Sequence, residues 1–172
     1  SYPDGVIAMR LTTPETKGRL NLTVRLVDAH AGKLSVSKDM LGIMGKLDLL
    51  SYDAQVKVLN EKGTLSVEAD RINVSDADAV TILLTAGTNF DLSATDYLGI
   101  SPEELHKQLY TCLSKASRKK YNTLKKNHLE DYQPLFSRVK LDLQADMPEY
   151  ATDELVRHHK ESRYLDMLYF QY

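Results

Sequence analysis

Aliphatic and polar side chains alternate through much of the first half of the chain. Leu20, Leu22, Val24 and Leu26 are separated by Asn21, Thr23 and Arg25, so a strand here has one apolar and one polar face. The same period predicts strands over Val6–Thr13, Leu34–Ser37, Gln55–Leu59, Thr64–Ala69 and Arg71–Val74. Val80–Ala86 is more continuously apolar, the pattern of a strand covered on both faces. Turn-forming residues at Pro14–Gly18, Asp28–Gly32, Asn60–Gly63 and Ser75–Asp78 punctuate these runs. Short strands at this spacing predict an antiparallel β-sandwich.

After Phe90 the period changes. Asp91–Gly99 is small and polar and reads as a connection. Ser101-Pro102-Glu103-Glu104 then has the form of a helix start: Ser101 as cap, Pro102 at the first helical position, Glu104 closing a capping box. Leu105, Leu109, Cys112, Leu113 and Ala116 follow at helical spacing, and a second helix is expected over about 118–135, disturbed near Pro134. Val139–Leu143 alternates again and predicts one strand returning to the sheet. Asp146–Tyr150 is a loop, Thr152-Asp153-Glu154 can cap a short helix, and Tyr164–Tyr172 is apolar and helical. The expected class is mainly β with helices (α+β). Residues 1–90 form the sandwich portion, 91–138 a helical linker and 139–145 the returning strand; 146–172 lead away from it. The abrupt ends at Ser1 and inside the last helical pattern suit a piece of a longer protein.

Composition adds little direction. The chain has 172 residues, 42% apolar and 27% charged, with a net charge of −2, so no strong overall field draws it toward nucleic acid or an anionic membrane. No apolar run approaches the length of a membrane span. Cys112, the only cysteine, has no partner in the chain for a disulfide and reads as a helix-core residue.

Several groups invite a chemical reading. Asp76 and Asp78 are a carboxylate pair of the kind glycosidases use, but they sit where a turn is expected, which favours Asp for local hydrogen bonds. Lys115, Arg118, Lys119, Lys120, Lys125 and Lys126 form a basic stretch with only Tyr121 as an aromatic, ending at Glu130 and Asp131; a solvated helix face accounts for it. His158 and His159 diverge by about 100° on a helix and hold one metal ion poorly. His30 and His106 stand isolated in the sequence. No glycine-rich phosphate loop or HExxH motif occurs.

His128 to Leu143, with the skeleton HxxDYxxLFxRVxLxL, resembles the linker and last strand before the catalytic barrel of glycoside hydrolase family 95. Thr152-Asp153-Glu154 resembles that family's next element, with Ala151 in place of its usual Pro, and Leu168–Tyr172 looks like the start of its first barrel helix. Ser1–Leu26 and Leu83–Phe90 are similar to strands of its N-terminal super-sandwich. The resemblance covers nearly the whole chain and rests on the order of motifs rather than on any one.

The resemblance implies a fragment of the β super-sandwich plus linker, lacking the sandwich's first strands and nearly all of the (α/α)6 barrel. That family consists largely of inverting α-L-fucosidases whose catalytic carboxylates lie in the barrel. No catalytic, cofactor-binding or metal-binding residue is therefore carried over, and hydrolysis would need no cofactor. His128, Asp131, Tyr132, Phe136 and Arg138 are expected to be a structural linker motif. The polar four are expected to satisfy buried backbone or pair with one another, while Leu135, Phe136, Val139, Leu141 and Leu143 can pin the helix and returning strand to the sheet. The implied partners are the barrel of the same polypeptide and its fucosylated or galactosyl glycan, with no nucleic acid and no membrane span. A periplasmic or secreted location follows from the same resemblance. Missing strands would leave open edges and exposed apolar surface, so self-association through edge pairing or through Tyr164–Tyr172 is expected. Two alternatives remain: a free-standing carbohydrate-binding module, needing an exposed aromatic platform from Tyr52, Tyr97 or Tyr121, and a protein-interaction module.

Overall fold

The computed structural model describes residues 2–13, 20–140, 151–158 and 160. They contain strands β1 (Ile7–Thr12), β2 (Leu20–Arg25), β3 (Lys33–Ser37), β4 (Met40–Lys46), β5 (Ser51–Glu61), β6 (Thr64–Glu68), β7 (Arg71–Ala77) and β8 (Ala79–Thr88). Helices α1 (Pro102–Ser117), α2 (Tyr121–Phe136) and α3 (Thr152–Arg157) follow. The chain divides into two compact units, Ser1–Asp131 and Tyr132–Tyr172. The first holds both sheets, in the orders β1-β8-β5-β4-β3 and β2-β7-β6, with every pairing antiparallel. The expected β-sandwich with helices is the observed class.

The period of two decides what each face of the large sheet touches. On β5 and β8, Val56, Val58, Val80, Ile82 and Leu84 join Val24, Leu41, Ile72, Val74 and Ala77 in the core between the sheets. Leu83 points the other way and meets Val6, Leu113, Ala116 and Leu124, a second core under the helices. The near-continuous apolar run of β8 thus serves two layers.

Residues 51–88 form one long hairpin, creased in the middle. The β5 end pairs with β8 (Glu61↔Ala79) and β6 pairs with β7 (Thr64↔Ser75), so one half of the hairpin lies in each sheet. At the crease Lys62, Gly63 and Asp76 all have positive φ (57°, 65° and 54°). A Cβ on Gly63 would lie 2.2 Å from the Ser75 carbonyl oxygen, so only glycine fits. Lys62 bridges Asp78 at 2.8 Å across the bend. The turns expected at Asn60–Gly63 and Ser75–Asp78 are therefore the two sides of one bend between sheets, not reversals. The reversal itself falls at Ala69-Asp70, where Asp70 accepts from Arg71 (2.6 Å) and bridges Arg25 (2.7 Å).

Strand β4 was not expected, because Gly42 and Gly45 interrupt its apolar pattern. Both glycines lie under neighbouring side chains: a Cβ on Gly45 would meet the Tyr52 hydroxyl at 2.1 Å, and one on Gly42 the Ser35 hydroxyl at 2.8 Å.

Helix α1 starts as expected. Ser101 Oγ accepts the Glu104 N–H at 3.2 Å and Pro102 opens the helix. Glu104 does not complete the box in kind; its carboxylate faces Lys107 at 3.9 Å. Helix α2 runs two residues past Pro134. At α3 the cap position is Ala151, which has no capping group, so Thr152 is already the first helical residue. The returning strand expected at 139–145 falls outside the described residues except for Val139 and Lys140, which are irregular. The expected loop Asp146–Tyr150, apart from its last residue's neighbour Ala151, and the helix Tyr164–Tyr172 also lie outside them.

Leu83 is fully buried between β8 and the helices. Leu83→Ala is expected to cost about 2–5 kcal/mol. Ile7→Ala, at a position 61% exposed, is expected to change stability by roughly 0.5 kcal/mol or less. Urea unfolding followed by circular dichroism measures both.

Candidate functional site

Two polar clusters lie where the helices meet the large sheet. In the first, Asp53 and Gln55 stand two apart on β5, both buried, facing His106 on the second turn of α1. His106 Nδ1 lies 2.6 Å from Asp53 Oδ2. A carboxylate accepts, so Nδ1 carries the proton in this contact. Gln55 Nε2 donates to the His106 carbonyl (3.0 Å) and to Asp53 Oδ2 (3.2 Å). Asp53 Oδ1 and Gln55 Oε1 are buried without a donor among the described residues.

In the second cluster, the buried Asp4 carboxylate accepts from Lys119 at the end of α1 and from Asn127 of α2 (3.2 Å). Burial alone would push this carboxyl up. The hydrogen bonds from Lys119 and Asn127, with the charge of Lys119, outweigh burial and bring it below the ordinary carboxylate range. The Cys112 thiol donates to the Asp4 carbonyl (3.2 Å), so the lone cysteine ties α1 to the segment before β1. Arg10 on β1 repeats the theme: it bridges Glu61 (2.7 Å), donates to Thr81 (3.1 Å) and lies 5.8 Å from the Tyr121 ring centre. Its guanidinium holds the Glu61 carboxyl low.

An imidazole held by a carboxylate is the orienting half of a proton-transfer site. The groove nearest α1, of about 530 Å³ and lined by Asp4, Lys107, Cys112, Lys115 and Lys119 among others, includes neither Asp53 nor His106. Asp53 holds the His106 ring and Gln55 holds the backbone of α1 over β5, so the contacts clamp the helix to the strand. His106 stands isolated in the sequence because its partners lie 53 and 51 positions away.

The linker-motif residues are distributed along α2 and just past it. His128 lines a small cavity with Ile7, Ala8, Tyr121, Leu124 and Lys125. Asp131 is half-buried. Tyr132 stacks on Phe136 with ring centres 5.2 Å apart. Phe136, Leu135 and Val139 are largely exposed, and Arg138 is exposed with its N–H on the Leu135 carbonyl (3.2 Å).

The remaining candidates take the bland reading. Asp76 donates its N–H to Asn21 and Asp78 is bound to Lys62. In the basic stretch, Lys119 is spent on Asp4 and Lys126 lies 3.7 Å from Glu130. His158 faces Glu154 at 3.8 Å, and His159 lies outside the described residues. His30 lies edge-on to Tyr52, whose hydroxyl donates to Asp28 (2.6 Å). Among the described residues no group of three or more His, Cys, Asp or Glu is placed to hold a metal ion, and no helix is long and apolar enough to cross a membrane.

The Asp4 clamp carries a pH signature. A carboxyl held low in the folded state stabilises the fold above its unfolded value, near 3.8, and that stabilisation is lost as pH falls through the folded value. Asp4→Asn is expected to lower stability at pH 7 by on the order of 1–3 kcal/mol. The gap between wild type and variant narrows below about pH 4. Urea midpoints at pH 7 and pH 3 check this.

Residues 1–93 match the model for the glycosyl hydrolase family 65 N-terminal domain, and residues 120–172 that for the glycosyl hydrolase family 95 catalytic domain. A probable alpha-fucosidase A of Aspergillus niger is 25% identical over 194 residues, covering 100% of this chain and 24% of that protein. Alpha-L-fucosidase 2 of Arabidopsis thaliana is 34% identical over 89 residues, covering 52% of this chain and 10% of its own length. The chain thus spans about a quarter or less of the curated relatives it matches. The two family matches meet at the helices clamped to the sheet, α1 between them and α2 inside the second. The chain therefore belongs to the family described as the glycosyl hydrolase family 65 N-terminal domain, and its residues 120–172 are similar to the family 95 catalytic domain.

Proposed function

We propose that this chain is the non-catalytic N-terminal scaffold of a glycoside hydrolase resembling inverting α-L-fucosidases, acting on fucosylated or galactosyl glycans. The observation that carries this reading is the order of the two family matches: an N-terminal-domain match over the sheets, then a catalytic-domain match opening one residue before α2. The Asp4–Lys119–Asn127 and Asp53–His106 clamps fit that role. They hold α1 and the first turns of α2 on the sheet, which gives the linker leading to the barrel a fixed base. The barrel of the same polypeptide is the partner, the glycan is its substrate, and the enzyme works in the periplasm or outside the cell.

Release of L-fucose from 2′-fucosyllactose, measured on this chain and on the longer polypeptide, tests the reading. The chain is expected to be silent and the longer polypeptide active. Fucose release by the 172-residue chain would sink the scaffold role, and silence of the longer polypeptide would sink the fucosidase reading.

Self-association of the isolated chain belongs to the same proposal. Ile7 and Met9 on edge strand β1 are 61% and 55% exposed. With Leu11 they border an apolar groove that reaches Leu22, Leu26, Ile82 and Leu84 between the sheets. Among the described strands β1 is the outermost of its sheet, and an outer strand beside exposed apolar surface favours pairing with a second copy. Sedimentation velocity is expected to show a concentration-dependent shift above the monomer, removed by Met9→Lys. A monomer throughout the micromolar range would refute it.

A further inference from the structure

The connection between β8 and α1 is more ordered than its polar composition suggests. Asn89 is buried and accepts the Ser51 N–H (2.8 Å), anchoring one end to β5. Gly99 N–H returns to the Asn89 carbonyl (2.9 Å), and Phe90 and Leu98 form an isolated β-bridge. Inside this closed loop Asp91 N–H donates to Tyr97 O, Tyr97 N–H to Ala94 O, and the Asp91 carboxylate accepts from the Ser93 N–H and hydroxyl.

The loop holds Tyr97 at φ 60°, a left-handed conformation that an L side chain adopts only at a cost. What that conformation presents is an aromatic surface. The Tyr97 and Phe90 rings lie 10° from parallel with centres 6.1 Å apart, and the two residues are 53% and 52% exposed. Strain kept where it leaves rings in water, rather than burying them, is the pattern of a binding surface.

We propose that Phe90 and Tyr97 form a carbohydrate-binding subsite that takes the apolar C–H face of a pyranose ring. The two rings are stacked, so the outward face of one of them is what suits a flat apolar sugar face. The Tyr97 hydroxyl can pair with a sugar hydroxyl, while Asp91 and Asp96 stiffen the loop by accepting from Ser93 and from the Leu98 N–H (3.1 Å). Aromatic side chains also lose little entropy on binding, having two side-chain torsions each. The ligand class rests on the glycan-directed reading above. A packing seam for the rest of the polypeptide would favour the exposed rings alike, and the experiment separates the two.

The test is saturation-transfer NMR on the 172-residue chain with 2′-fucosyllactose and, separately, maltose. Tyr97→Gly removes the ring and accommodates the positive φ, so its melting temperature is expected to match or exceed wild type while affinity falls by about tenfold or more. Phe90→Ala is expected to weaken binding in the same direction. Signal from maltose but not from 2′-fucosyllactose, lost in Tyr97→Gly, would keep the subsite and count against the fucosyl specificity. Absence of signal from both sugars with wild type would overturn the subsite, as would unchanged affinity in Tyr97→Gly. So would sugar-independent loosening of the longer polypeptide by Tyr97→Gly, seen as faster proteolysis.

Discussion

The large sheet has to be covered on both faces, because the small sheet lies on one and two helices lie on the other. That requirement explains why β8 carries Val80, Ile82 and Leu84 toward one layer and Leu83 toward the next, and why the polar residues on its helix side are all engaged. Thr81 accepts from Arg10 and Thr85 donates to the Gly5 carbonyl. A strand with one wet face could carry free hydroxyls there; this one cannot, since a buried polar group without a partner loses its hydration for nothing.

The helices rest on an apolar core and are set in position by polar groups at its margins. Leu105, Leu113, Ala116 and Leu124 are the buried residues of α1 and α2. Around this small core stand Asp4, Lys119 and Asn127 on one side and Asp53, Gln55 and His106 on the other. Apolar contact alone permits a helix to slide by a turn, whereas hydrogen bonds of fixed direction do not. For a domain from which further chain extends, that positional precision matters more than the energy of any one bond.

Much of this was legible in the sequence, for a reason that also marks its limits. Alternation reveals a strand only when one face is apolar, as in β2 and β5. Strand β4 escaped notice because Gly42 and Gly45 carry no side chain, and the reason they carry none is Ser35 and Tyr52, on other strands. The start of α1 was readable because a cap is local: Ser101 and Pro102 act within one turn. The pairing of His106 with Asp53 was not, since neither residue's neighbours hint at the other. The same holds for Tyr97, whose platform depends on a backbone angle and on Phe90 seven positions earlier.

The crease between β6 and β5 has a consequence for the order of folding. In sandwiches built from strands far apart in sequence, the two layers meet only after long loops have closed, which is slow and entropically costly. Here β5, β6, β7 and β8 follow one another without interruption and already supply Val56, Val58, Ile72, Val74, Ala77 and Val80 to the shared core. A single stretch can therefore collapse into a two-layered nucleus through contacts made by near neighbours along the chain. The outer strands and the helices then add to a template that exists before they arrive.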